Sequence, residues 1–197
     1  MRTSALIMAA GSSKRLGVPK QLLDWGGHPL LEVVTRRAKD WPVDEVWVVL
    51  GHGSEDILIE CDLGDVSIVI NEEYDEGIAS SLRVGLDALT RNSKVDATFI
   101  VLGDQPVIGD DVPAALIGAM SQSQKMVAIP RYRYARGNPA LLSRDVWSRV
   151  MSLEGDVGAM GLFGAHPEWV EEVWFETLPP RDIDTQQDVE ELRPRSA

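Results

Sequence analysis

Cysteine and positive charge are both scarce in this 197-residue sequence. The single cysteine, Cys61, excludes an internal disulfide, and no cysteines and histidines have the spacing of zinc ligands. We interpret Cys61 as a small, half-buried apolar side chain. Lys and Arg number 19 against 31 Asp and Glu, so the formal net charge is −12. Because nucleic acids and anionic membranes attract cationic proteins, this composition argues against both as partners.

Long hydrophobic runs are also missing. No apolar segment approaches the roughly 20 residues that cross a bilayer. Residues 1–3 lead directly into the first predicted strand without room for a signal peptide, so we expect a cytoplasmic protein. The length suits one domain over residues 1–197, with a frayed tail at 193–197.

Short apolar runs alternate with helical patterns, which is typical of a mostly parallel α/β sheet. The predicted strands are residues 5–9, 45–50, 66–70, 97–102, 126–130 and 170–175. We expect residues 131–139 to leave the parallel sheet as an extended segment. Among the predicted helices, one begins at Ser80 or Ser81, and another points Ile57 and Leu58 inward. The pattern predicts a single-domain, three-layer, doubly wound α/β fold of Rossmann-like type.

A loop of small and cationic residues follows the first predicted strand. The small residues are Ala9, Ala10, Gly11, Ser12 and Ser13, and the cations are Lys14, Arg15 and Lys20. Small residues let a ligand approach the backbone, and N–H groups combined with fixed positive charge favour an anion. The loop therefore predicts a binding site for a nucleoside triphosphate.

Two common phosphate loops do not fit this stretch. Lys20 lies three residues after Gly17 and is followed by Gln21, which excludes a P-loop. The three spaced glycines of the dinucleotide motif are also absent.

Ligands of open parallel sheets bind beyond the carboxyl ends of the strands. Those ends place the loop from Ala10, the turn at Gly51, Asn71 and the turn around Asp104 at one edge. Asp104 is a candidate Mg²⁺ ligand, because Mg²⁺ is commonly held by one or two carboxylates plus substrate oxygens. The alternative is an Asx-turn that only shapes the loop.

Asp182 and Asp184 are candidates for a second carboxylate. Alternation places both on one face of an extended segment, and Thr185 suits the cap of the helix that follows. The alternative is that both carboxylates serve only that helix N-terminus.

The loop resembles the motif of MobA-like nucleotidyltransferases, Ala-Gly-x-Ser-x-Arg-x-Gly-x-x-Lys. The matching residues are Ala10, Gly11, Ser13, Arg15, Gly17 and Lys20. Leu-Gly-Asp-Gln-Pro at 102–106 resembles the metal-binding motif of the family, and residues 182–185 resemble its late Asp-x-Asp-Thr motif. The resemblance implies a nucleotide-diphospho-sugar transferase-like fold. It also implies catalytic roles for Arg15, Lys20 and Asp104, and Mg²⁺ on Asp104 with Asp184 in preference to Asp182.

Softer matches occur further along the chain. Gly77 and Ser81 lie in a segment that resembles the nucleobase-binding segment of related cytidylyltransferases, although a plain helix cap explains the serine equally well. Asn138 and Asp156 fall where the family carries acceptor-side motifs, and Asp156 also suits a helix cap.

Two further groups are interpreted without a resemblance. Arg131, Arg133 and Arg136 either bind an anionic acceptor or are solvated strand-edge charges. The three histidines, His28, His52 and His166, are interpreted as structural or surface residues.

Within the family, residues 9–11 and 102–106 resemble the molybdenum cofactor cytidylyltransferase branch more than the guanylyltransferase branch. This implies Mg²⁺-dependent transfer of CMP from CTP to the phosphate of a molybdopterin-type cofactor, with release of pyrophosphate. A molybdenum hydroxylase or its maturation factor is the implied protein partner. The alternatives are a phospho-acid guanylyltransferase, a sugar-phosphate nucleotidyltransferase, or a non-catalytic nucleotide- or cofactor-binding maturation factor.

Overall fold

The computed structural model describes residues 1–13 and 18–192 of the chain. Its strands are β1 (Thr3–Ala9), β2 (Glu45–Leu50), β3 (Ser67–Ile70), β4 (Ala97–Leu102), β5 (Val127–Tyr132), β6 (Ala140–Ser143) and β7 (Val170–Phe175). Its α-helices are α1 (Leu30–Lys39), α2 (Ser54–Glu60), α3 (Ile78–Asn92), α4 (Val112–Ser123), α5 (Trp147–Met151), α6 (Ala159–Ala165) and α7 (Gln186–Leu192).

The strands form one sheet in the order β3-β2-β1-β4-β6-β5-β7. β1 pairs in parallel with both β2 and β4, β2 with β3, and β5 with β7, whereas β6 runs antiparallel to β4 and β5. This confirms the mostly parallel α/β prediction. It also places β1 near the middle of the sheet, next to β4, so the loop after β1 and the turn after β4 lie side by side.

Helices cover both faces of the sheet. Ile7 of β1 packs in a cluster with side chains of α1, α2 and α4, whereas the neighbouring Leu6 packs with α3, α5 and α6. Every residue of β1 is buried, as expected for a strand covered on both faces. Gly85 lets α3 lie close to the sheet, since a Cβ there would be 2.8 Å from Leu6 Cδ2 and Val49 Cγ2. The three-layer, doubly wound prediction is therefore confirmed.

The last described helix, α7, has the predicted cap. Thr185 Oγ1 accepts a hydrogen bond from the Asp188 N–H at 3.2 Å, and Asp188 Oδ2 accepts one from the Thr185 N–H at 2.8 Å. This reciprocal capping box fixes where the helix begins. Ile183, just before the cap, is fully buried against Trp25 and Leu30, which anchors the segment that carries Asp182 and Asp184.

Three local predictions were wrong. α3 begins at Ile78, so Ser80 and Ser81 lie within its first turn. Leu58 is 44% exposed while Ile57 is buried, because α2 packs only a narrow face on the core. In place of the predicted extended segment after β5, the chain turns after Tyr132 and runs back antiparallel to β5 as β6. β6 has only four residues, which is too short for the alternation pattern to predict.

No helix in the described ranges is both long and apolar enough to span a membrane. The predicted tail at 193–197 lies outside the described residues.

Candidate active site

A cleft of about 970 Å³ opens at the carboxyl ends of β1, β2 and β4. That volume is within the usual range for small-molecule sites. The predicted nucleotide-binding residues all line it: Ala9, Ala10, Gly11, Ser12, Ser13, Lys20, Gly77, Ser81 and Asp104. The structure therefore brings together residues that are up to 95 positions apart in the sequence.

Gln21 holds the beginning of the loop after β1. Its Nε2 donates to the carbonyl oxygens of Ala9, at 2.6 Å, and Gly11, at 3.2 Å, and so fixes the backbone on both sides of Ala10. The loop also closes on itself, because the Lys20 N–H donates to Ser13 Oγ at 2.9 Å. Residues 14–17, with the predicted catalytic Arg15, lie outside the described residues.

Lys20 bridges two carboxylates at the floor of the cleft. Its Nζ lies 2.7 Å from Asp104 Oδ2 and 3.1 Å from Asp184 Oδ1. Lys20 is in the short 3₁₀ helix Lys20–Leu22 after the loop, Asp104 is in the turn after β4, and Asp184 precedes α7. The two aspartates are held in register by the backbone, since the Ile183 N–H donates to the Asp104 carbonyl oxygen at 3.0 Å.

Burial and charge act against each other in this cluster. Burial alone lowers the pKa of Lys20, but the two carboxylates outweigh it and raise that pKa above its usual value. Burial raises the pKa of Asp104, and Lys20 offsets this only in part. The Lys20 side chain is therefore a fixed positive charge in the cleft.

The carboxylate pair fits a divalent cation. Asp104 Oδ1 is buried without a hydrogen-bond partner among the described residues, so one ligand oxygen is already desolvated and uncommitted. Within the same ranges no group of three or more His, Cys, Asp and Glu side chains is arranged to hold a metal. Two carboxylates that leave the remaining positions to substrate oxygens and water match the way Mg²⁺ is usually bound.

Asp182 and Asp184 have different surroundings. Asp182 Oδ1 accepts a hydrogen bond from Gln105 Nε2 at 2.7 Å, and Asp182 is not among the described residues that line the cleft. Asp184 lines the cleft and reaches Lys20. Of the two candidates, Asp184 is therefore the one that the structure places with Asp104 in the cleft.

The loop at 155–156 packs on the beginning of α3, and its Asp156 lines the cleft. Asp156 Oδ1 accepts from the Ile78 N–H at 3.4 Å, and the Gly155 carbonyl oxygen accepts from the Ala79 N–H at 3.2 Å. Gly77, with φ of 105°, leaves room for this loop, since a Cβ there would lie 2.6 Å from the Gly155 carbonyl carbon. Asp156 thus lines the cleft and also caps a helix, but the helix is α3 rather than its own.

The other predicted acceptor residues lie elsewhere. Asn138 is in the turn between β5 and β6, where its carbonyl oxygen accepts from the Tyr132 hydroxyl, and it is not among the described cleft residues. Arg131 and Arg136 both pair with Glu172, and Arg133 pairs with Glu176. The arginines are thus already paired with carboxylates of the same chain.

Sequence reasoning missed two side chains of the cleft. His52 and Tyr74 line it together, with His52 Nδ1 3.2 Å from the Tyr74 hydroxyl. The sequence-based interpretation of His52 as a structural or surface residue is therefore incomplete, and its position directly after the Gly51 strand-end turn is the signal that points to the cleft. Gly51 itself is in close contact with both neighbouring loops: a Cβ would lie 2.7 Å from Tyr74 Cβ and 2.8 Å from the Ala10 carbonyl oxygen.

A mostly parallel sheet with a small-residue loop, a half-buried lysine and paired carboxylates at its carboxyl edge is the arrangement expected of a nucleotide-binding α/β transferase. The chain belongs to the MobA-like NTP transferase domain family, which it matches over residues 5–170. The family and its neighbours support a nucleotidyltransferase activity.

Similar proteins agree with this assignment. The chain is 33% identical over 118 residues to the bifunctional protein GlmU of Lawsonia intracellularis, a match that covers 58% of this chain and 25% of GlmU. The chain thus matches only about a quarter of the length of that relative.

Solved structures match over nearly the whole chain. A homologue of Rv0371c from Mycobacterium sp. strain JC1 is 30% identical with a TM-score of 0.84, covering 98% of this chain and 96% of that chain. Rv0371c of Mycobacterium tuberculosis H37Rv is 28% identical with a TM-score of 0.88, covering 98% and 97%. The same mycobacterial protein has been solved in complex with manganese, with 25% identity, a TM-score of 0.84 and coverage of 98% of both chains.

Proposed function

We propose that this chain transfers CMP from CTP to the phosphate of a molybdopterin-type cofactor and releases pyrophosphate. The observation that carries the proposal is the Lys20 ammonium shared between Asp104 and Asp184 at the floor of the cleft. One cation and two carboxylates beside a loop of backbone amides are the groups that triphosphate chemistry requires.

In this proposal the protein contributes position and charge. The loop after β1 and Lys20 hold the triphosphate, with Arg15 as a further cation. An oxygen of the acceptor phosphate attacks the α-phosphorus of CTP, and the bond from that phosphorus to the pyrophosphate oxygen breaks. No side chain has to act as a base, because a phosphate acceptor is already ionised near neutral pH.

Asp104 and Asp184 are the proposed ligands of a divalent cation, with Mg²⁺ as the expected ion. The buried Oδ1 of Asp104, which has no hydrogen-bond partner among the residues that the structure describes, supports this assignment, and so does the manganese complex of the similar Rv0371c. When bound, the ion supplies charge neutralisation at the reacting phosphorus and on the leaving pyrophosphate.

CTP and the molybdopterin-type acceptor are proposed from the resemblance of residues 9–11 and 102–106 to the cytidylyltransferase branch. On the acceptor side, Asp156 is favoured over Asn138, because only Asp156 is among the described residues that line the cleft. A molybdenum hydroxylase or its maturation factor is the proposed recipient of the product.

The test is pyrophosphate release from CTP, GTP, ATP and UTP, each with Mg²⁺ and a purified molybdopterin-type cofactor, beside a control without acceptor. Acceptor-dependent release selective for CTP is the expected result. Selective release with another nucleotide would overturn the CMP assignment and favour the guanylyltransferase or sugar-phosphate alternatives. No release with any nucleotide, together with tight CTP binding, would overturn the molybdopterin-type acceptor and favour a different phosphorylated acceptor first and a non-catalytic maturation factor second.

A further inference from the structure

Asn71 is a buried polar residue beside the cleft that the proposed chemistry does not use. It follows β3, is 2% exposed, and its N–H donates to the Leu50 carbonyl oxygen at 2.8 Å. Its side-chain Nδ2 lies 2.9 Å from both Ser80 Oγ and Ser81 Oγ, and its Oδ1 lies 3.0 Å from the Glu73 backbone nitrogen. A buried amide with this many partners is held in one orientation.

The direction of these hydrogen bonds is fixed by Glu73. A backbone N–H can only donate, so the amide oxygen of Asn71 has to face Glu73 and its NH₂ group has to face the serines. Both serine oxygens therefore accept from Asn71.

The two serines use their own protons differently. Ser80 Oγ lies 2.8 Å from the carbonyl oxygens of Glu73 and Gly77, so its proton is taken up within the chain. Ser81 lines the cleft, and among the described residues no acceptor takes its proton. Ser81 is thus held as a hydrogen-bond donor toward the cleft.

We propose that Asn71 is a positioning residue for nucleobase selection, which fixes Ser81 as a donor that reads an acceptor atom on the base. This inference rests on the proposed function and on the resemblance of the segment with Gly77 and Ser81 to a nucleobase-binding segment, which together place the base of the nucleotide next to Ser81. A donor at Ser81 suits N3 of cytosine, which is an acceptor, and opposes N3–H of uracil, which is a donor. Because the two rings have nearly the same shape, the direction of one hydrogen bond then separates CTP from UTP.

Asn71→Asp tests the inference with almost no change of shape. One carboxylate oxygen still accepts from Glu73, but the other can no longer donate, so both serine hydroxyls turn to donate to it. Ser81 then presents lone pairs to the cleft. At pH 8, we expect the ratio of kcat/KM for CTP to kcat/KM for UTP to fall by about 10-fold, the scale of one lost hydrogen bond. Asn92→Asp makes the same change at an exposed position of α3, the helix that carries Ser81, and should leave this ratio unchanged.

Further variants separate positioning from a merely structural role. Ser81→Ala should lower the CTP preference, whereas Ser80→Ala should not, since Ser80 is not among the cleft residues described. The double variant Asn71→Asp/Ser81→Ala should have the same nucleotide preference as Ser81→Ala alone, because Asn71 acts through Ser81. If Asn71→Asp does not fold, Asn71→Ala replaces it in this comparison, because it also removes the NH₂ donor that orients Ser81. An Asn71→Ala protein with the wild-type CTP preference would overturn the inference.

Calorimetric binding of CTP and UTP to the wild-type protein separates the two proposals. If the wild type binds CTP preferentially but releases no pyrophosphate, the transferase proposal is overturned. The Asn71 inference is then judged from the ratio of the CTP and UTP affinities of each variant. If the wild type selects CTP, and Asn71→Asp lowers the affinities for CTP and UTP by the same factor, the Asn71 inference alone is overturned. A wild type that does not favour CTP over UTP overturns the inference outright.

Discussion

The ammonium nitrogen of Lys20 lies 2.7 Å from Asp104 Oδ2, although the two residues are 84 positions apart in the sequence. The contact joins the loop after β1 to the turn after β4, and the same ammonium reaches Asp184 near the last helix. These three charges are in contact before any ligand binds, so the polar floor of the cleft is preorganised.

Lys20→Ala should lower kcat/KM for pyrophosphate release by about 10²-fold, because it removes a fixed positive charge from the proposed triphosphate site. Steady-state kinetics with CTP and acceptor measure the effect. Lys94→Ala is the matched control, since Lys94 is an exposed lysine remote from the cleft residues. Equal rates for Lys20→Ala and Lys94→Ala would show that the loop is not the triphosphate site.

Asp104→Asn should lower turnover by roughly 10²-fold or more while the fold stays intact, since the amide keeps the shape but loses the charge that binds a metal. Manganese titration followed by thermal unfolding gives an independent readout. The wild-type Tm should rise with added Mn²⁺, and that rise should be lost in Asp104→Asn but kept in Asp65→Asn, an exposed control. An unchanged Mn²⁺ response in Asp104→Asn would contradict the ligand assignment.

Gly51→Ala should lower the free energy of unfolding by about 1–3 kcal/mol, because the new Cβ would lie 2.8 Å from the Ala10 carbonyl oxygen and 2.7 Å from Tyr74 Cβ. Gly118→Ala should have the opposite effect. Gly118 lies in α4, and an added Cβ there would meet no atom within 4 Å, so the substitution should raise the free energy of unfolding by roughly 0.5–1 kcal/mol. Urea unfolding of both variants checks the pair. Equal stability changes would show that the contact at Gly51 is not tight.

Cys61 should react slowly with iodoacetamide. Burial, with Glu32 and Glu60 nearby, raises the pKa of the thiol to about 11 from its usual 9.0. Two pH units leave roughly a hundredfold less thiolate at pH 8, so alkylation should be about 10²-fold slower in the native than in the urea-unfolded chain. Mass spectrometry reports the rate for this single cysteine.

The raised pKa of Cys61 also makes the stability of the fold depend on pH. Because the folded-state pKa of Cys61 is raised, the stability it contributes is present below pH 9 and is lost as the pH rises toward 11. Cys61→Ala should therefore lose less stability than the wild type between pH 9 and 11. A native alkylation rate equal to the unfolded rate at pH 8 would contradict both expectations.

Much of the fold and the cleft floor was predictable from local pattern. Residues 5–9 of β1 are all apolar, the loop after them is rich in small and charged residues, and Asp104 follows the apolar strand β4. The rule that ligands bind beyond the carboxyl ends of strands therefore places these features together. Thr185 and Asp188, which form the capping box of α7, are likewise only three positions apart. These features depend on short stretches of chain, which is why the sequence predicts them.

The features that were missed depend on distant contacts. β6 is four residues long and gains its strand character from pairing with β4 and β5. Leu58 is exposed because α2 buries only Ile57 against the core, and Asp156 caps α3 rather than its own helix because a loop folds back onto Gly77. Asn71 was recognised as a strand end, but its hydrogen-bond directions became evident only when Glu73 and the two serines were seen around it.

The segment just before α7 also affects how the protein can be shortened in the laboratory. The family match ends at residue 170, yet Asp184 supplies half of the carboxylate pair and Ile183 fixes the Asp104 turn through its N–H. A version trimmed to the matched region would keep all of the central strands and lose one side of the cleft floor. Expression designs for this protein should therefore extend through α7, beyond the residue at which the family match ends.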